Sequence, residues 1–254
     1  MNFNALIKQE WIKLNSRRSL IFLIVALLIN TGLVLLGFGI LSLPPEDPSL
    51  LTSELMERMN PFGFIMSNFS SLLALIASMF FIMQYGDEYK FGLVRKNIID
   101  GMSRRDIFNG KMVFIFGSYL LWTILFIIIF LICGAVKFGD KFGMLVSSMQ
   151  FEQILKYYFH IIFYGALSFF LVSLTRSSMV SMIIFLGLTM ILDQLLVFGF
   201  AYMEWSDAAP YLPITLASTI RSSENISNGE LIGYLVYLVG FIGIGQWAIY
   251  KRDL

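Results

Sequence analysis

The chain has 254 residues, 57% of them hydrophobic and 14% charged, where soluble domains carry roughly 45–50% and about 25%. With a mean hydropathy of +0.77, this excludes a disordered chain, a disulfide scaffold and an ordinary soluble enzyme. A net charge of +1 points to no nucleic-acid partner, and the single cysteine, Cys133, permits no intrachain disulfide.

Residues 3–18 read as a helix lying along a membrane surface. At about 100° per residue, Phe3, Ile7, Trp11 and Leu14 fall on one stripe, with Leu6 beside it. Lys8 and Lys13 lie to either side of the stripe, and Trp11 suits the headgroup layer. Glu10 sits at the stripe's edge, where membrane binding alone gains nothing from a carboxylate. Two readings follow: an anchor that fixes topology, and an element gripped by a protein partner.

Six apolar stretches follow, at about 20–43, 62–85, 111–136, 154–174, 178–200 and 231–250. Each approaches or exceeds the ~20 residues that carry a helix across a ~30 Å hydrocarbon core. The expected fold is therefore all-α, a polytopic membrane domain covering 1–254 with six transmembrane helices. The first stretch is not expected to be a cleaved signal peptide. A charged segment precedes it, it is longer than an h-region, and no A-x-A site follows.

Orientation follows from the basic residues. One side collects Lys8, Lys13, Arg17, Arg18, Lys90, Arg95, Lys96, Arg104, Arg105, Lys111, Arg176, Lys251 and Arg252; the other has only Arg58, Lys137, Lys141, Lys156 and Arg221. Both termini are thus expected in the cytoplasm, with the chain in a cell (plasma or inner) membrane.

The segment 86–111, GDEYKFGLVRKNIIDGMSRRDIFNGK, is too long and too charged for a plain connector. Residues 87–99 can continue the second span as a helix. Asp100-Gly101 makes a turn, and Ser103 with Asp106 has the spacing of a capping box that opens a helix running into the third span. Two short helices would form a cytoplasmic elbow over 86–110. Phe91, Ile98, Ile99, Ile107 and Phe108 would give it an apolar surface ringed by charge, the make-up of a docking patch.

Within the spans, Asp193 is the one ionisable residue well inside hydrocarbon, where a carboxylate costs about 2.5–3.5 kcal/mol on insertion scales. It reads as a pathway or interface residue, or as a hydrogen-bonded packing residue. Asn30 and Gln194 are further polar residues there. Gly63, Ser67, Ser71, Ala74 and Ser78 form a small-residue stripe on the second span, suited to close helix packing within the subunit or across a dimer. The external segment 201–228 holds Trp205, Tyr211 and two prolines, Pro210 and Pro213. His160, the lone histidine, has no neighbouring Cys or second His with which to build a metal site.

In their order and spacing these pieces resemble the membrane subunit of ABC transporters of the ABC-2 type, exporter-like permeases of the type V class with six spans. The resemblance rests on ALIKQEWIKLNSRR before the first span, DEYKFGLVRK and GMSRRDIFNGK before the third, PYLPIT before the last, and the terminal YKRDL. It implies that 3–18 is a connecting helix and 86–110 a coupling-helix region. A separate ATPase subunit, in two copies, would then contact Glu10, Trp11, Lys13, Glu88, Gly92, Arg95, Arg104, Arg105 and Asp106. It implies a second permease subunit, the same or related, with a pathway at the interface and Asp193, Asn30, Ser67 and Ser71 near it. It also implies short external helices within 201–228 that close the pathway. Where the family often places Thr or Ser after the coupling glycine, this chain has Leu93.

No nucleotide site is legible in the chain itself. Its one Gly-Lys pair, Gly110-Lys111, is followed by Met112 and preceded by Arg105 where a P-loop needs glycine. ATP and Mg²⁺ would belong to the partner. The competing reading is an ion-coupled secondary transporter built from two inverted halves of three spans. An intramembrane enzyme finds no support, since neither H-E-x-x-H, G-x-S-x-G nor a second intramembrane acid is present.

Overall fold

The computed structural model describes residues 17–41, 60–139, 142–147, 149–203, 206–222 and 226–251. Residues 3–16 of the expected surface helix, with Glu10, Trp11 and Lys13, lie outside the described residues. The described residues form helices and turns and no strand: α1 (Arg17–Leu41), α2 (Pro61–Lys90), α3 (Leu93–Ile99), α4 (Arg104–Phe138), α5 (Phe142–Ser147) and α6 (Phe151–Thr175). They continue with α7 (Ser178–Leu186), a π-helical turn (Gly187–Leu192), α8 (Asp193–Tyr202), a 3-10 turn (Ser206–Tyr211), α9 (Pro213–Ser222) and α10 (Asn228–Lys251).

Local chemistry sets the helix starts. Asn60 accepts a hydrogen bond from the Gly63 amide at 2.9 Å, and proline occupies the first turn of α2, where its missing N–H costs nothing. Ser103 and Asp106 form a complete capping box at α4. The two bonds from Ser103 hold the Asp106 carboxyl below its usual range, so the box is intact at neutral pH.

Among the described residues, five helical stretches are long and apolar enough to cross a membrane: Ile21–Gly39, Arg104–Phe138, Phe151–Thr175, Ser178–Phe200 and Asn228–Lys251. Large apolar side chains such as Leu28, Ile132, Ile183, Phe198 and Val236 stand exposed on their outer faces. Water would not tolerate so much exposed apolar surface on a monomer, but lipid does.

Helix α6 is the hub, with every side chain from His160 to Phe169 buried. α2 runs parallel to it, Ser71 lying beside His160 and Tyr85 stacking on Phe169 at 5.8 Å. α10 is also parallel, pairing Tyr234 with Phe159 and leaving room at Gly245 for the Phe169 ring. α4 crosses in the opposite sense, with Tyr119 over Gly165 and Phe126 beside Tyr157. α1 closes on α2 and α4 through Phe22–Phe80 and Phe38–Phe130.

The chain between the second and third expected spans differs from the sequence reading in one respect. Instead of one helix over 87–99, α2 ends at Lys90 and α3 begins at Leu93. Gly92 between them takes a left-handed conformation (φ 65°), one that L side chains pay about 1–2 kcal/mol to adopt.

Candidate functional site

Two places gather the residues singled out from sequence. The first is the α3 end of the molecule, where the α2–α3–α4 bend, the α6–α7 turn and the end of α10 meet. On the bend, Phe91 is 59% and Ile99 76% exposed. Leu93, Lys90, Arg95, Lys96 and Arg105 are also exposed, and Asp106 is half-buried. Ile107 is buried, and Phe108 turns inward to meet Phe169. The outward apolar surface is therefore Phe91, Leu93 and Ile99, smaller than the five-residue set expected.

Glu88 is not on that surface. Its carboxylate is buried in an ion pair with Lys111 of α4. The ammonium also lies 4.9 Å from the centre of the Tyr85 ring, and the Tyr85 and Tyr89 hydroxyls meet at 2.9 Å. Arg176 completes the cluster 5.8 Å from the Tyr89 ring. It is the one described non-glycine residue with positive φ (56°), at the turn between α6 and α7. Removing either partner of a charge pair this deep is costly, because the survivor stays buried without the charge it was paired with. It fixes the last turns of α2 against the first turns of α4, directly behind α3.

Arg104 is also engaged. Its guanidinium donates to the backbone carbonyls of Ile249 and Tyr250. These carbonyls close α10 and have no intrahelical donor among the described residues, and a cation at the negative end of the helix dipole is favourable. Among the residues expected to meet a partner, Arg95 and Arg105 are outward and Gly92 supplies the bend, while Glu88 and Arg104 hold the bend in place.

The second place is where α9 folds back against the spans. Asp193 is buried and accepts a hydrogen bond from the Thr215 hydroxyl of α9 at 2.8 Å. It follows the π-helical turn directly. That wide turn buries Thr189 and Asp193 four residues apart while Met190, Ile191 and Leu192 face outward. At the other end of α9, Arg221 donates to the Ser71 hydroxyl of α2. The Ser71 oxygen lies 3.5 Å from His160 Nε2, and His160 Nδ1 donates to the Ala217 carbonyl at 2.9 Å. Since a carbonyl only accepts, the proton sits on Nδ1 and Nε2 is left as the acceptor.

Ser71 is thus an intrachain contact for α9. Farther along the stripe, Ala74 and Ser78 face inward, Ser78 meeting the Tyr119 hydroxyl at 2.9 Å, which is packing within the chain. Nothing is described of the Ser67 side chain. Asn30 is 1% exposed, and its amide has no hydrogen-bond partner among the described residues. No group of three or more His, Cys, Asp or Glu able to hold a metal occurs among the described residues.

Sequence reasoning missed Lys111, Tyr85, Arg176 and Arg221 as site residues. Only Lys111 carried a usable signal, as a cation ahead of a long apolar run with an acid near the end of the run before it. Against known proteins, the chain matches no family model and no curated sequence.

Proposed function

We propose that the chain is the transmembrane permease subunit of an ATP-driven exporter, coupled at its α3 end to a separate ATP-hydrolysing protein. In this reading α1, α2, α4, α6, α7–α8 and α10 are six spans. At about 1.5 Å per residue, the 30 residues of α2 extend some 45 Å, enough to cross and project beyond the bilayer. The basic bias of the α3 side supports a cytoplasmic side for it and for both termini, in a plasma or inner membrane.

The observation that carries the reading is the α2–α3–α4 bend. It presents Phe91, Leu93 and Ile99 to solvent amid Lys90, Arg95, Lys96 and Arg105. Behind that surface lie the Glu88–Lys111 pair and the Arg104 cap on α10. A push on such a surface is delivered to α2, α4 and α10 as a unit, which is what a lever between an engine and a pathway requires. Two permease chains, alike or related, would form the pathway, and two ATPase subunits would hold the nucleotide and Mg²⁺.

The test is purification of the full chain from its native membrane in mild detergent. The expected result is copurification of a P-loop ATPase, lost in the Arg95→Glu/Arg105→Glu variant while that variant still inserts. A chain that transports with nothing seated on α3 would sink the reading. A second reading, an ion-coupled secondary transporter, is favoured by one observation, the buried Asp193 carboxylate beside the π-helical turn. It requires that Asp193→Asn abolish transport and that no ATPase copurify.

A further inference from the structure

A side chain that faces hydrocarbon is expected to be apolar, because lipid tails offer an amide no hydrogen bond. Five stretches of the chain are long and apolar enough to cross a membrane. Among the described residues, the exposed side chains of their apolar runs (20–43, 111–136, 154–174, 178–200 and 231–250) are aliphatic, aromatic or Met, with Gly32, Gly117 and Gly243 also exposed. Gln194 of α8 is the one exception. It lies six residues inside the Phe200 end of the Ser178–Phe200 stretch, about 9 Å along the helix. Asn68, an exposed amide on α2, is partly served by its own helix, since it donates to the Phe64 carbonyl at 2.8 Å.

The fold sets where Gln194 stands. Asp193 is held inward by Thr215, and the next residue is rotated from it by about 100°. Phe198, four residues on, shares the face of Gln194 and is 72% exposed. Met190, Ile191 and Leu195 are exposed to either side. One amide ringed by large apolar side chains is the pattern of a helix–helix contact, where packing supplies the area and a single polar pair sets the register. The chemistry of the amide selects the partner. A carboxamide donates and accepts at once, and a two-fold axis brings each residue on it against its own copy. A Gln on such an axis therefore meets a group to which it can both donate and accept. Lipid offers neither bond.

We propose that α8 packs against α8 of a second copy of this chain about a two-fold axis at Gln194, the two Gln194 amides exchanging a reciprocal pair of hydrogen bonds. Phe198 of each chain flanks the pair. The same turn of α8 then serves two contacts, Asp193 holding α9 of its own chain and Gln194 holding the copy. This deepens the export reading, in which two permease chains meet, but its measurement needs no ATPase.

The experiment is oxidative crosslinking of the full chain in its membrane. Gln194→Cys is compared with Leu28→Cys on α1 and Val236→Cys on α10, two positions that are 68% and 64% exposed and report chance collision. Cys133 is buried, and the unsubstituted chain serves as the blank. A disulfide-linked dimer is expected for Gln194→Cys well ahead of both controls. No dimer there, or a rate equal to the controls, overturns the proposal. The second measurement is the monomer–dimer equilibrium of the labelled chain diluted into lipid vesicles. Gln194→Leu is expected to weaken the dimer about tenfold, two interhelical amide hydrogen bonds being lost at once. The unfolding midpoint of the monomer should stay where it is, since Leu suits a lipid-facing position. Unchanged dimer affinity overturns the amide pair. Should Gln194→Cys crosslink while no ATPase copurifies, the contact stands and the export reading falls; the reverse result removes the contact alone.

Discussion

Lys111 and Glu88 stand 23 positions apart in the chain and meet only because α2 and α4 turn back at Gly92 and Gly101. Burying two charges is costly, and the pair is worth keeping only while both members are present. Lys111→Met alone is expected to lower stability by about 3–5 kcal/mol, the range for breaking a buried pair. Adding Glu88→Leu should recover most of that loss, because the orphaned carboxylate goes with it. Unfolding of single and double variants in detergent checks this, and a double variant no better than the single would show that the pair is not the cause. The sequence made the two charges visible but not their meeting, since the pattern that reveals a helix says nothing about which residues face each other across two helices. The Arg104 cap on the α10 carbonyls was hidden for the same reason. The Ser103–Asp106 box was readable because a three-residue spacing is local.

Among the helices, one close approach of backbone to backbone rests on a glycine. A Cβ on Gly86 of α2 would lie 2.6 Å from the backbone nitrogen and Cα of Ser178, the first residue of α7. No rotamer change relieves a clash with backbone. Gly86→Ala is expected to force α2 and α7 apart at a cost of roughly 1–3 kcal/mol, read as a lower unfolding midpoint of the full chain. Gly117→Ala is the control. With nothing within 4 Å of its Cβ position, it should be neutral or gain up to about 1 kcal/mol from helix propensity. The apolar runs made the long helices legible to within a few residues, because burial and lipid exposure both select apolar side chains over a full crossing. The break at Gly92 was not, since a lone glycine in a helical pattern has no fixed meaning until the neighbouring helices decide the bend.

For the whole molecule, the expected count of six crossings makes a simple experiment decisive. Cys133 is the only cysteine and is buried, so an introduced thiol is labelled against a quiet background. A cysteine at Lys96 should react with a membrane-impermeant maleimide only after the cells are opened, and one at exposed Glu152 should react in intact cells. The same labelling pattern at both positions would break the alternation. Composition made the solvent legible, and the imbalance of Lys and Arg sets the direction that this labelling tests. The anchoring of α9 was not: α9 folds back to bury Leu216, Ala217 and Ile220, and it is held by Asp193, Ser71 and His160 from three different helices. No local pattern in a short, mixed-polarity segment announces such a set of anchors.

The wide turn between α7 and α8 bears on how this region can change over evolutionary time. Successive residues in an α-helix are rotated by about 100°, so an extra residue accommodated in a π-helical turn sets the phase of everything after it. Loss of a single codon between Gly187 and Leu192 would re-aim α8, swinging Asp193 from its Thr215 contact toward the lipid and turning an oily neighbour inward. Point substitutions on the outward faces of α7 and α8 leave that phase unchanged, whereas a change in the spacing between them does not.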